Sequence, residues 1–221
     1  MAYHLNFTYI WAHFDRLSWG LVLSLELAFL SILIGMVLGL GLALAYTGGG
    51  RLVRGVVAGY VEFIRNVPLL LLVYLVFYGI PSVGGFAYDA ATSFIITLSV
   101  YAGAYMVEVF RAGLAAIPKG LIDAGKAIGL TGWQRLLFVR LPTMVRIVLP
   151  SLSNAYVSLF KDTSLGSVIA VPELTYGAQW IKTNSFRVIE VWIVVTPMYL
   201  VTGYGLLFAL RQLERRFAVQ R

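Results

Sequence analysis

The sequence contains five long runs of apolar residues with few charges, and this pattern limits the folds open to the chain. The runs cover residues 21–46, 67–80, 94–107, 147–160 and 191–210. A helix needs about 20 mostly apolar residues to cross the hydrocarbon core of a bilayer. Because 60% of the residues are hydrophobic and only 12% are charged, we expect an all-α membrane protein with about five transmembrane helices. The shorter runs must borrow flanking residues that carry charge or proline.

Basic residues are concentrated in alternate loops. Arg51 and Arg54 follow the first run, six basic residues lie between positions 111 and 146, and four follow the fifth run. By the positive-inside rule these loops are cytoplasmic, which predicts an N-terminus outside the membrane and a C-terminus inside. The net charge of +7 is thus distributed by loop and does not indicate binding to nucleic acid. We divide the chain into an external segment 1–18, a transmembrane domain 19–211 and a cytoplasmic tail 212–221.

Several classes of protein are disfavoured by what the sequence lacks. It contains no G-x-x-x-x-G-K-[S/T] nucleotide loop and no cysteine, and its two histidines are His4 and His13. We therefore expect no metal site and no cofactor. An intramembrane enzyme would need a convergent catalytic set within the spans, so we expect that the chain is not an enzyme. Segment 1–18 also lacks the compact apolar core of a cleaved signal peptide.

Two acidic and basic pairs stand near the ends of spans. Glu62 and Arg65 are three residues apart, and so are Glu108 and Arg111, so each pair shares one face of a helix. The spacing predicts two ion pairs, which either anchor the helices at the cytoplasmic interface or act at an inner gate. Pro68 follows the first pair and weakens the backbone hydrogen bonding there.

The longest polar interruption, about residues 112–142, contains a segment that we expect to form a helix after Pro118. This helix would display apolar side chains such as Leu121 and Ile128 beside small residues. Small residues let the surface of another protein approach the backbone closely. The composition therefore predicts a docking helix rather than a solvated connector.

The same loop resembles a known motif. From position 123 it reads D-A-G-x₃-G-x₉-V-R-L-P, which is similar to the EAA loop, E-A-A-x₃-G-x₉-I-x-L-P, of bacterial ABC-importer permeases. The departures are Asp for Glu at 123, Gly for Ala at 125 and Val for Ile at 139. The resemblance implies a type I ABC-importer permease fold whose cytoplasmic coupling helix contacts an ATPase. The implied coupling residues are Asp123, Ala124, Gly125, Ala127, Gly129 and Leu130.

Four further segments resemble the permeases for polar amino acids in that superfamily. They are EFIRNVP at 62–68, EVFRAGLAAIPK at 108–119, KDTSL at 161–165 and VPELT at 171–175. The resemblance implies import of polar amino acids, with the glutamate and glutamine type among them, across the bacterial inner membrane. It also implies a cytoplasmic dimer of ABC ATPases that hydrolyses ATP, a second identical or paralogous permease, and a periplasmic or lipid-anchored solute-binding protein.

A cluster of polar residues after the fourth run is the candidate substrate site. Charges at membrane depth cost roughly 2.5–3.5 kcal/mol each unless they face a cavity or one another. An amino acid carries an ammonium and a carboxylate, which a cation, an anion and two hydroxyls would match. The structural alternative is a cap formed by the two charged residues at the outer interface. The candidate substrate-binding residues are Lys161, Asp162, Thr163, Ser164 and Glu108.

Other conspicuous residues are assigned to packing between helices. Gly35, Gly39 and Gly41 form a stripe of small residues on the first span, which favours close helix packing within the chain. Tyr101 and Tyr105 lie one helical turn apart on the third span and are also assigned to packing.

The alternative function is a secondary amino acid transporter driven by an ion gradient. Such a transporter would normally show internal repeats with paired broken helices, and the sequence shows no such repeat. Ion coupling would also leave the docking helix without a purpose. The ATP-driven importer is therefore the favoured interpretation.

Overall fold

A computed structural model describes residues 4–85 and 87–217, and all regular structure in these residues is helical. In chain order the helices are α1 (Thr8–Ala12), α2 (Phe14–Gly48), α3 (Arg51–Asn66), α4 (Leu69–Tyr74), α5 (Ile80–Gly84), α6 (Ala90–Ala115), α7 (Lys119–Ala127), α8 (Gly132–Arg135), α9 (Leu141–Asp162), α10 (Leu174–Ser185) and α11 (Val188–Phe217). A π-helical turn, Leu75–Gly79, joins α4 to α5, and a second, Leu136–Arg140, joins α8 to α9. A 3₁₀ turn, Thr163–Ile169, follows α9.

The described helices include four stretches that are long and apolar enough to span a membrane. They are Phe14–Gly48, Ala90–Ala115, Gly132–Ile169 and Val188–Arg216. A fifth is formed by Arg51–Asn66 and Leu69–Gly84 if the two are counted as one span bent by 106°. The prediction of an all-α membrane protein with about five transmembrane helices is confirmed.

The predicted external segment and cytoplasmic tail are partly continuous with the first and last helical spans. Helix α2 begins at Phe14, inside the segment that we assigned to the exterior, and α11 continues into the predicted tail as far as Phe217. Residues 1–3 and 218–221, which belong to the predicted external segment and tail, lie outside the described residues.

The core of the fold is the contact between α2 and α6. A Cβ atom added at Gly39 would lie 2.4 Å from the Cβ of Met106, and one at Gly35 would lie 2.7 Å from the Cβ of Ala102. Only glycine allows the helices to come this close. A Cβ atom added at Gly41 would meet nothing within 4 Å. The predicted packing role is therefore confirmed for Gly35 and Gly39 but is wrong for Gly41.

Helix α3 ends beside the middle of α6. The Tyr60 hydroxyl donates a hydrogen bond to the Val100 carbonyl over 2.6 Å, and buried Ile64 packs with Ala104. The chain then breaks at Pro68, which has no backbone N–H to donate and disfavours helical geometry at the preceding residue. Val67 is accordingly extended, with φ −90° and ψ 131°.

Helix α7 begins directly after Pro118, as predicted. It ends at Ala127, before Gly129 and Leu130, the last two residues assigned to coupling. Its end is closed by two backbone hydrogen bonds, from Gly129 N–H to the Lys126 carbonyl and from Leu130 N–H to the Gly125 carbonyl, each 3.0 Å long. This is the Schellman arrangement, which needs a left-handed residue after the helix. Gly129 meets that need with φ +81°.

Helix α11 packs along α9 and α10 and leaves most of its surface uncovered. Only 6% of the most apolar part of this helix is buried within the described chain. Its exposed side chains include Val201, Tyr204 and Phe208. This surface is therefore suited to lipid or to another membrane chain.

Candidate functional site

A cavity of about 360 Å³ lies between α2, α6 and α9, close to the middle of α6. Its wall is largely apolar, and Asp162 is the charged residue in it. Apolar cavities with a few convergent polar groups are the usual form of a small-molecule site. The lining residues are Ile32, Tyr101, Ala102, Tyr105, Met106, Ala155, Ser158, Leu159 and Asp162.

The tyrosine pair that we assigned to packing lines this cavity. The hydroxyl of Tyr101 donates to the hydroxyl of Tyr105 over 3.2 Å, and the ring centroids are 4.9 Å apart. The rings contact each other, and both residues belong to the cavity wall together with Ser158 and Asp162. Sequence reasoning missed them as site residues. The available signal was a pair of hydroxyl groups one turn apart inside an otherwise apolar span.

The structure brings one member of the predicted cluster, Asp162, into the cavity. Asp162 is the last residue of α9, and the chain tightens into the 3₁₀ turn directly after it. Lys161 is exposed and does not line the cavity. Thr163 is buried with its hydroxyl donating to the Phe160 carbonyl over 2.6 Å, and half-buried Ser164 is also outside the lining. Of the four predicted residues at 161–164, Asp162 is therefore the one that lines the cavity.

Glu108 lies away from the cavity and forms the predicted ion pair with Arg111. The Glu108 carboxylate and the Arg111 guanidinium are 2.5 Å apart. The Arg111 guanidinium carbon also lies 3.8 Å from the centroid of the Tyr46 ring, near the end of α2. Arg111 thus links the ends of α2 and α6 by a cation–π contact as well as an ion pair.

The ion pair predicted between Glu62 and Arg65 is not formed, and this prediction is wrong. Instead, the Glu62 carboxylate accepts a hydrogen bond from the Asn66 amide over 3.1 Å. The Arg65 guanidinium carbon lies 5.2 Å from the centroid of the Tyr105 ring. The physical reason is that α3 ends here, so Asn66 reaches back to Glu62 while Arg65 lies against α6.

A buried carboxylate joins α10 to α11 and α2. Glu173 is fully buried and accepts hydrogen bonds from the backbone N–H groups of Thr175 and Tyr176 and, over 3.0 Å, from the Tyr199 hydroxyl. Burial raises the pKa of this carboxyl to about 7, although the hydrogen bonds act to lower it. A Cβ atom at Gly20 would lie 2.8 Å from the Glu173 carbonyl carbon, so α2 packs directly on this turn.

Helix α7 presents a mixed surface of apolar and charged groups. Leu121 is 45% exposed and Ile128 is 76% exposed, so both side chains are open to a partner. The Asp123 carboxylate pairs with the Lys126 ammonium over 2.8 Å. Gly125 is buried, with the aliphatic part of Arg135 3.4 Å from where its Cβ would lie. This small residue therefore packs within the loop.

Comparison with known proteins identifies the family. Residues 19–219 match the model of the family described as "Binding-protein-dependent transport system inner membrane component". The chain belongs to this family. It is an inner-membrane permease, and ATP hydrolysis is carried out by a separate ATPase subunit.

Several curated relatives cover nearly the whole chain. It is 35% identical over 211 residues to the glutamine transport system permease protein GlnP of Escherichia coli (strain K12), covering 95% of this chain and 96% of the relative. It is 37% identical over 201 residues to the L-cystine transport system permease protein TcyB of Bacillus subtilis (strain 168), covering 90% and 86% of the two chains.

Solved structures show the same fold. A chain of an amino acid ABC transporter crystallised with histidines superposes with a TM-score of 0.89 at 28% identity, covering 97% of this chain and 100% of that chain. A chain of the inward-facing MetNI methionine ABC transporter gives a TM-score of 0.79 at 21% identity, covering 92% and 97%. The expected type I ABC-importer permease fold is confirmed.

Proposed function

We propose that this chain is the subunit through which an ATP-driven importer moves polar amino acids, of the glutamine and glutamate type, into the cell. The observation that carries the proposal is the cavity beside the middle of α6, where Asp162, Ser158 and the tyrosine pair meet an apolar wall. The size of the cavity, about 360 Å³, falls in the range typical of small-molecule sites. The substrates named for the relatives support the same class of cargo.

Asp162 is the residue proposed to hold the substrate ammonium. A carboxylate pairs with an ammonium through charge-assisted hydrogen bonds, which are about twice as strong as neutral ones. The hydroxyls of Ser158 and of the tyrosine pair supply weaker and less selective partners for a polar side chain. The apolar remainder of the wall excludes water and strengthens these contacts.

The partners follow from the surfaces of the bundle. The exposed apolar residues Leu121, on α7, and Ile128, directly after it, are proposed to dock on a cytoplasmic ABC ATPase. The largely uncovered α11 is proposed to face lipid or a second permease. The concentration of basic residues near α7 and at the C-terminal end of α11 supports a cytoplasmic position for both, with the N-terminus outside. A solute-binding protein would then deliver the substrate at the α10 end.

The test is substrate-dependent uptake by proteoliposomes that contain the permease, its ATPase and its binding protein. A panel of radiolabelled amino acids should give ATP-dependent uptake for polar ones. Asp162→Asn should raise KM about tenfold to 100-fold, since it removes a charge-assisted hydrogen bond. Glu26→Gln is the control, because Glu26 is an exposed carboxylate outside this cavity. Uptake with an unchanged KM in Asp162→Asn would contradict the assigned site.

A further inference from the structure

Arg65 is not part of the cavity lining, but it lies against the ring of Tyr105, which is. The end of α3 is held beside the middle of α6 by the Tyr60–Val100 hydrogen bond and by Ile64, which packs with Ala104. Arg65 follows Ile64 directly, and its guanidinium carbon lies 5.2 Å from the centroid of the Tyr105 ring. This is within the distance of a cation–π contact. Tyr105 is itself part of the cavity wall.

The surroundings of Arg65 indicate a polar path rather than lipid. Its side chain is exposed in the single chain, and no carboxylate of the described residues lies within ion-pair distance of it. An arginine that faces lipid at mid-span is costly, so such residues normally face a water-filled cavity or a charged partner. The break at Pro68 follows within one turn, and broken helices at this depth are common where transporters hold their substrates.

The tyrosine pair adjoins two charged groups of opposite sign. Asp162 lines the same cavity, and the Arg65 guanidinium lies over the Tyr105 ring. Tyr101 donates its proton to the hydroxyl oxygen of Tyr105, which leaves the Tyr105 proton for another acceptor. The guanidinium lies over the ring of the same tyrosine, and the two groups together suit a carboxylate.

We propose that Arg65, with the Tyr105 hydroxyl, binds the carboxylate of the transported amino acid while Asp162 binds its ammonium, an inference that rests on the proposed function. Arg65 and Lys161 are both exposed and both outside the cavity lining, but the Arg65 guanidinium lies over the ring of a wall residue, Tyr105. Arg65 is therefore a specificity residue for α-amino acids. It selects against amines that lack a carboxylate.

The absence of cysteine from the natural sequence permits a direct binding test. Ser158→Cys places a single thiol in the cavity wall of the permease–ATPase complex in nanodiscs, and its reaction rate with a maleimide is measured. The standard amino acids are screened for those that slow labelling. L-glutamine and its carboxamide analogue, in which the carboxylate is replaced by a neutral amide, are then titrated.

Added to this background, Arg65→Gln should raise the half-protecting concentration of L-glutamine about tenfold to 100-fold, the loss expected for a charge-assisted pair. Arg65→Lys should recover part of the loss because it keeps the charge without the bidentate geometry. The carboxamide analogue should bind weakly and equally well with or without Arg65. Arg51→Gln, at the start of the same helix, and Lys161→Met should leave protection by L-glutamine unchanged.

Each contrary result has a separate meaning. Equal protection by L-glutamine with and without the Arg65→Gln change overturns this inference and leaves the proposed function intact. A loss in Lys161→Met that is confined to ligands with a carboxylate assigns that contact to Lys161 and also overturns it. If no amino acid slows labelling, and the complex without the Ser158→Cys change shows no ATP-driven uptake in proteoliposomes with its binding protein, the proposed function fails, and the inference fails with it. If Arg65→Gln does not fold, equal protection in Arg65→Lys and the parent is the overturning result.

Discussion

The hydroxyl of Tyr101 donates a hydrogen bond to the hydroxyl of Tyr105 across 3.2 Å, inside the cavity that Asp162 also lines. The two residues are one turn apart on α6, so the helix fixes their relative position. Because the Tyr101 hydroxyl donates its proton to Tyr105, the Tyr105 proton is available to a ligand. The pair therefore acts as one polar unit in a wall that is otherwise mostly apolar.

Tyr101→Phe should weaken substrate binding without unfolding the protein. The change removes the donor to Tyr105 and frees Tyr105 to rotate, at the cost of one ordinary hydrogen bond. We expect KM for uptake to rise about three- to tenfold, with the melting temperature unchanged. Tyr204→Phe is the matched control because Tyr204 is 66% exposed on α11 and lies outside this cavity. Equal KM values for the two variants would exclude the pair from the site.

Gly39→Ala should destabilise the fold strongly, whereas Gly41→Ala should not. A Cβ at Gly39 meets the Met106 Cβ at 2.4 Å, but one at Gly41 meets nothing within 4 Å. Overpacking of this kind costs about 1–3 kcal/mol. Thermal unfolding in detergent measures the difference. Similar melting temperatures for both variants would show that α2 and α6 are not in the close contact described here.

Ile128→Asp should separate the permease from its ATPase and leave the permease folded. Ile128 is 76% exposed at the end of α7, so the change creates no buried charge within the chain. We expect the affinity for the ATPase to fall about tenfold or more, since a buried apolar contact contributes roughly 1.5–3 kcal/mol. Val83→Asp, at an apolar residue that is 93% exposed at the end of α5, is the control. Undiminished ATPase binding and uptake would argue against docking at α7.

Gly129 is a less suitable probe of that surface. Its φ of +81° closes the Schellman turn, so a side chain there strains the end of α7 by about 1–2 kcal/mol before it meets any partner. Loss of coupling in a Gly129 variant would therefore report on the turn as well as on docking.

Glu173 should make the stability of the permease depend on pH. Its pKa is raised by burial from 4.5 to about 7, so the folded state favours the protonated carboxyl. The stabilising contribution is fully present below about pH 4.5 and is lost as the pH rises through about 7. We expect the melting temperature to fall over this range and Glu173→Gln to remove most of the dependence. Glu26→Gln should retain it, and an unaltered pH profile in Glu173→Gln would contradict the assignment.

The helices and the family were predictable because their signals are local. Apolar runs fix the spans, and Pro118 marks the start of the docking helix through backbone chemistry that does not depend on its neighbours. The end of that helix at Ala127 was not predicted, because Gly129 was assigned to docking and not to the turn that it closes. Close packing of the first span within the chain followed from Gly35 and Gly39, although the pattern did not name α6 as the partner. Gly41 lies about 200° around the helix from Gly39, so it faces away from the contact that Gly35 and Gly39 make.

The composition of the cavity could not be read from spacing alone. Asp162 and Lys161 are neighbours in sequence, yet successive residues of a helix point about 100° apart, so Asp162 lines the cavity and Lys161 is exposed. Glu62 and Arg65 have the spacing of an ion pair, but Glu62 accepts a hydrogen bond from Asn66 and Arg65 lies against the Tyr105 ring. In both cases the outcome depends on which element packs against each face of the helix, and this is not encoded within the motif.

The most direct test of the central claim is the energy source for amino acid uptake by reconstituted proteoliposomes. The permease with its ATPase and binding protein should accumulate labelled glutamine only when ATP is supplied, and ionophores that dissipate proton and sodium gradients should have no effect. The permease alone should neither hydrolyse ATP nor accumulate the amino acid, consistent with the lack of a nucleotide loop in its sequence. Uptake by the permease alone, driven by an ion gradient and abolished by ionophores, would contradict the claim and establish a secondary transporter instead.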